Sequence, residues 1–116
     1  MSDSRVRGYL NDIQTSADLI DGFIRGFDFE EYKRSVLIRS AVERQLLIIG
    51  EAVSQLAKLF PDEAAKLGDV SVIIAFRNRL VHGYSAVDSA VVWGVVQDDL
   101  PSLRAKASAG VDSRTS

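Results

Sequence analysis

Sixty residues pass before the first proline, Pro61, and only one more follows, Pro101. Proline cannot donate a helical hydrogen bond and its ring clashes with the preceding turn, so its scarcity leaves long helices open over most of the chain. The apolar residues use that freedom. Tyr9, Ile13, Ala17, Ile20, Ile24 and Phe27 recur at three- and four-residue intervals, the period of one helix face. Asp3 or Ser4 can cap this first helix, and Gly26 stands near its end. A short link over 27–30 leads into a stretch over 31–60 that is rich in Leu, Ile, Ala and Arg and stops at Pro61. It reads as a single second helix of about 28 residues, roughly 40 Å long.

Pro61, with Asp62 and Glu63 after it and Gly68 as a stop, predicts a short helical turn. Residues 70–82 form a third helix with Gly83 as its left-handed terminator. Asp88 or Ser89 caps a fourth, carrying Val91, Val92, Trp93, Val95, Val96 and Leu100, and Pro101 either kinks it or opens a last short helix. Val95 and Val96 would suit a strand, but no alternating partner run exists. The pattern predicts an all-α, up-and-down four-helix bundle with an additional short helix, spanning 1–106, followed by a small polar tail over 107–116 without fixed structure. At 116 residues one core is feasible and dimerisation would strengthen it.

Composition excludes several functions. There is no cysteine, which removes disulfides and thiolate metal sites and fits a reducing, cytoplasmic setting. One histidine without cysteine makes zinc binding untenable, and the adjacent Asp98 and Asp99 point in different directions, so no metal or other cofactor is expected. No run reaches the roughly 18–20 apolar residues of a membrane span, and the N-terminus has no signal-peptide core. A net charge of −2 gives no general grip on nucleic acid, so any RNA contact must come from a local cluster.

That cluster is RNRLVHGY, from Arg77 to Tyr84. On a wheel at about 100° per residue with Ile73 at zero, Phe76, Leu80, Val81 and Ile74 fill the oily arc and Arg77 falls inside it near 40°. A cation there needs a partner. Asn78 and His82 share an edge near 140–180°. Two matching oddities occur in the second helix. Gln45 sits within the core arc, and Gly50 lies mid-helix, where glycine costs about 1 kcal/mol against alanine. Gly50 permits a close approach, either by another helix of the same chain or by a partner chain. The charge run 30–34 reads as a solvated face, and Trp93 as core.

Two readings fit these residues. In one, Arg77 is a structural ion-pair residue facing Glu43 or Glu51, His82 is a cation at a helix C-terminus, and Tyr84 packs in the core. The chain is then a non-catalytic helical dimer, a binding module for a partner protein. In the other, the residues cleave RNA by attack of the 2′-hydroxyl. His82 moves the proton, Arg77 forks onto phosphate oxygens, Asn78 supplies a neutral hydrogen bond, and Arg79 and Arg44 help hold the strand. One histidine cannot easily be both acid and base, so this reading demands two copies face to face.

The spacing Arg77, four residues, His82, one residue, Tyr84 resembles the Arg-x4-His-x-Tyr motif of HepT-like toxins in the HEPN superfamily. AVERQLLIIGEAVSQL (41–56), IIAFRNRLVHGY (73–84) and VDSAVVWGVVQDDLPSL (87–103) are similar to that family's second helix, motif helix and last helix, in order. The resemblance implies a homodimeric helical bundle with metal-independent endoribonuclease activity. Arg77 and His82 would be the catalytic pair in a shared cleft, with Asn78 in support; Glu43, Gln45, Glu51 and Arg79 remain supporting candidates from their positions in the sequence alone. It further implies a toxin–antitoxin pair. The partner would be a minimal nucleotidyltransferase antitoxin that transfers AMP to Tyr84, placing charge and bulk where RNA phosphate must bind.

Overall fold

In a computed structural model, which describes residues 2–82 and 87–114, the chain is a helical bundle. The helices are α1 (Ser2–Ile24), α2 (Phe29–Arg34), α3 (Val36–Leu59), α4 (Pro61–Ala65), α5 (Ser71–His82), α6 (Ser89–Gly94) and α7 (Leu100–Asp112). A π-helical turn, Val95–Asp99, joins α6 to α7 without a break, and no strand occurs among the described residues. α1 packs between α3 and α7, while α5 lies against α3. The four long layers are therefore α1, α3, α5 and the α6–α7 rod. No described helix is long and apolar enough to cross a membrane.

The core follows the predicted periodicity in α1 and α3. Leu10, Ile13, Ala17 and Ile20 of α1 are buried against Val42, Leu46, Ile49, Val53 and Leu56 of α3. The first helix already includes Ser2, two or three residues earlier than expected, so Asp3 and Ser4 lie inside it rather than at its cap. Pro61 opens α4, and Gly68, at φ 82°, ends the connection after it.

The single second helix is corrected to two. Ser35 is extended (φ −96°, ψ 101°) and its hydroxyl accepts a hydrogen bond from the Ile38 N–H at 3.2 Å, which starts α3 afresh. α2 has its own start, a capping box: Asp28 accepts from the Glu31 N–H at 2.8 Å and Glu31 accepts from the Asp28 N–H at 3.1 Å. Two short-range caps thus outweigh the helical tendency of the intervening residues. The break turns Tyr32 inward. Its ring is 1% exposed and lies 5.2 Å from Trp93, so the run 30–34 is not simply a solvated face.

The tail is corrected as well. Residues 107–112 continue α7, with Ala107 fully buried and Val111 8% exposed. Gly110 lets the helix close on α1, since a Cβ there would fall 2.8 Å from Leu10 Cδ1. Beyond it the Arg114 side chain is only 10% exposed. Its Nε donates to Asp3 at 2.8 Å, its Nη1 donates to the Gly110 carbonyl at 3.0 Å, and its Nη2 pairs with Glu63. This ties the last helix to α1 and α4. Burial works to raise the Glu63 carboxyl, but hydrogen bonds from Arg114 and Lys66 outweigh it and hold the group below its ordinary range. The π-helical turn precedes Pro101, where a wider turn separates the pyrrolidine ring from the carbonyl four residues back.

Candidate active site on the fifth helix

α5 is anchored by Ile73 and Phe76, which are buried, and by Ile74 and Leu80, which pack partly against the core. Val81, predicted on the same oily arc, is 47% exposed, so the buried stripe narrows toward the end of the helix. Arg77 consequently lies at the stripe's edge rather than within the core.

Gly50 decides how close α5 can come. A Cβ on Gly50 would clash with Arg77 Cβ and lie 2.7 Å from its Cγ and 3.5 Å from its Cα. The missing side chain therefore accommodates Arg77 itself, and the close approach lies within one chain. The stem of Arg77 crosses α3 at Gly50 and its guanidinium emerges beside Glu51, one residue on. Nε donates to Glu51 Oε1 at 2.9 Å and Nη2 reaches the same oxygen at 2.8 Å. Nη1 donates to Asn78 Oδ1 at 2.9 Å. The Arg77 side chain is 27% exposed and that of Glu51 44%, so the pair straddles the surface.

This arrangement engages three of the five guanidinium N–H groups among the described residues. One N–H remains on each terminal nitrogen. These two supply the donors that a fork onto an external anion, such as a phosphoryl group, requires.

The structure thus brings Arg77, Asn78 and Glu51 together. Glu43 belongs elsewhere on α3. Burial raises its carboxyl, opposed by the charge of Arg39. The neighbouring Tyr32 hydroxyl is pushed up to about 12, first by burial and then by Glu43. Gln45 is half-buried and takes no part in the Arg77 bonds, while Arg79 is exposed. His82 is exposed at the last position of α5. It is five residues beyond Arg77, hence about 140° further round the helix and about 7.5 Å along it. Tyr84 and Gly83 lie outside the described residues. Asn78 acts here as a brace for Arg77, and of the two acids the sequence left open, Glu43 and Glu51, the packing selects Glu51. The fall of Gly50 next to Glu51 in the sequence was the available signal.

A family model described as "Ribonuclease HepT-like" matches residues 13–109. The chain belongs to the HepT-like ribonuclease family. Membership makes it an enzyme of the endoribonuclease class. Among its relatives, a protein of Thermococcus cleftensis named "Probable ribonuclease HepT" is 35% identical over 103 residues, covering 86% of this chain and 90% of the relative. A candidate RNase of Methanocaldococcus jannaschii is 32% identical over 104 residues, covering 90% and 94%. Another, from Caldanaerobacter subterraneus subsp. tengcongensis, is 30% identical over 97 residues, covering 84% and 86%. No solved structure matches the chain. Within this HepT-like enzyme, the matched region contains α3, α5 and α6 entire, and so every residue of the Arg77 site.

Proposed function

We propose that this HepT-like chain is the toxin of a toxin–antitoxin pair, a metal-independent endoribonuclease whose working site combines Arg77 and His82 from two copies. The observation that carries this reading is the braced Arg77 with one uncommitted N–H on each terminal nitrogen. Such a guanidinium is preorganised for the extra negative charge that a phosphorane develops, because Glu51 and Asn78 fix its plane before substrate arrives. In the reaction the 2′-oxygen forms a bond to phosphorus as the bond from phosphorus to the 5′-oxygen breaks. A base takes the 2′-hydroxyl proton and an acid returns one to the 5′-oxygen, leaving a 2′,3′-cyclic phosphate and a 5′-hydroxyl. His82 is the proton-transfer group.

A single copy separates the two residues around α5, and a facing copy supplies a second Arg77 and His82 to the same phosphate. A nucleotidyltransferase antitoxin silences the enzyme by placing AMP on Tyr84, two residues beyond His82. The test is expression without the partner: wild type arrests growth and His82→Ala does not. Purified wild type cleaves RNA in the presence of EDTA, with cyclic phosphate termini. Incubation with the nucleotidyltransferase and ATP adds whole AMP increments to wild type and none to Tyr84→Phe. Equal growth of wild type and His82→Ala would refute the nuclease reading.

A further inference from the structure

Glu51 also lines a groove of about 300 Å³ between α1 and α3. That is the lower end of the size range of pockets that hold small ligands, ~300–1,000 Å³. Tyr9 and Ile48, both half-buried, contribute its apolar surface, and Asp12, Arg44 and Gln55 bring polar groups to it. Glu51 is the shared wall. Both Arg77 bonds fall on its Oε1, which leaves Oε2 for another donor. The groove therefore begins one carboxylate away from the group that would grip the scissile phosphate.

We propose that this groove holds one nucleobase flanking the cleaved bond and favours bases with an exocyclic amine. The inference rests on the nuclease reading for its placement next to Arg77. Two carboxylates, Asp12 and Glu51, repel a second phosphate but accept hydrogen bonds from an amine. Arg44 and Gln55 donate to ring nitrogens and carbonyls. The flat apolar surface of Tyr9 and Ile48 suits a base face, since stacking on an aromatic ring accepts any base and leaves the choice to the polar edge. Adenine, cytosine and guanine each carry an exocyclic amine with two N–H donors, one for each carboxylate; uracil offers a single ring N–H beside its carbonyls and can serve only one of them. The groove thus adds a specificity element to an otherwise sequence-blind phosphate grip.

The test uses DNA oligonucleotides carrying one ribonucleotide, so that only one phosphate can be cut, with each flanking base varied in turn. Wild type cleaves substrates with adenine, cytosine or guanine at one flanking position about tenfold or more faster than those with uracil. Asp12→Asn, which exchanges one acceptor oxygen for a donor, brings the four within about threefold while retaining cleavage. Separately, 2′-O-methyl trinucleotides, which cannot be cut, shift the Ile48 methyl resonance of wild type. Equal rates for all four bases, a preference unchanged in Asp12→Asn, or an unshifted Ile48 methyl would each overturn the proposal. So would a change of sedimenting mass in Asp12→Asn, which would make the groove a contact between copies. If no oligonucleotide is cut, the nuclease reading fails, and the Ile48 shift alone decides whether the groove binds bases.

Discussion

Gly50→Ala isolates the contact on which the site depends. In an open helix, alanine is favoured over glycine by about 1 kcal/mol. At Gly50 the new methyl group would overlap Arg77 Cβ well inside van der Waals contact and lie 3.5 Å from Arg77 Cα. Neither atom can move by rotating a side chain, so α5 must shift as a body. Overpacking of this kind costs typically about 1–3 kcal/mol. The upper part of that range applies, and the net loss after the gain in helix preference is about 1–2 kcal/mol. With a urea slope of about 2 kcal/mol per molar, the middle of the usual range, the unfolding midpoint falls by roughly 0.5–1 M.

Gly8→Ala and Gly22→Ala are the controls. Both residues are in α1 with no atom within 4 Å of an added Cβ, so each substitution raises the midpoint. Arg77→Ala does not rescue Gly50→Ala, because alanine keeps the offending Cβ. The displaced Arg77 also loses its register with Glu51, so RNA cleavage by folded Gly50→Ala falls by more than its stability loss explains. Circular dichroism at 222 nm through a urea titration reads the stability. A Gly50→Ala midpoint that rises like that of Gly8→Ala would refute the close approach of α3 and α5.

Arg77→Ala itself costs less than about 1 kcal/mol, since its partner Glu51 is 44% exposed and regains water; kcat for RNA cleavage nevertheless falls about 10²-fold or more. A stability loss of several kcal/mol in urea titrations would mean the pair is buried after all. Tyr32→Phe leaves stability unchanged or raises it by up to about 1 kcal/mol, because the buried hydroxyl has no hydrogen-bond partner among the described residues. Thermal melts of the two proteins decide this. Because burial and then Glu43 push Tyr32 up to about 12, its folded form holds a proton that the unfolded form releases near pH 10. Wild-type stability therefore falls as pH rises above about 10, and Tyr32→Phe flattens that fall. Glu63 behaves oppositely. Despite the opposing effect of burial, Arg114 and Lys66 hold it below its ordinary range, so its stabilisation is full above that range and lost as pH falls through it. Glu63→Gln flattens the acid limb of stability against pH and costs about 1 kcal/mol at neutral pH.

The sequence alone determined the helical class, the order of the long helices and the faces they bury. Those follow from local periodicity: Ile13, Ala17 and Ile20 share one side of α1 whatever lies opposite. It also isolated Arg77, Asn78 and His82, because an arginine beside an oily stripe and a lone histidine are visible without coordinates. Tertiary structure decided what depended on distant neighbours. Helical period could not say that two caps, at Asp28 and Ser35, would outweigh the continuous pattern from 31 onward. Nor could it say that Arg114 would find Asp3 and Glu63, which lie 111 and 51 residues away, and hold a polar segment in place. Gly50 marks the boundary most clearly. Its composition showed that something must come close. Only the packing of α5 on α3 identified Arg77 as what does, with Glu51 beside it to hold the guanidinium.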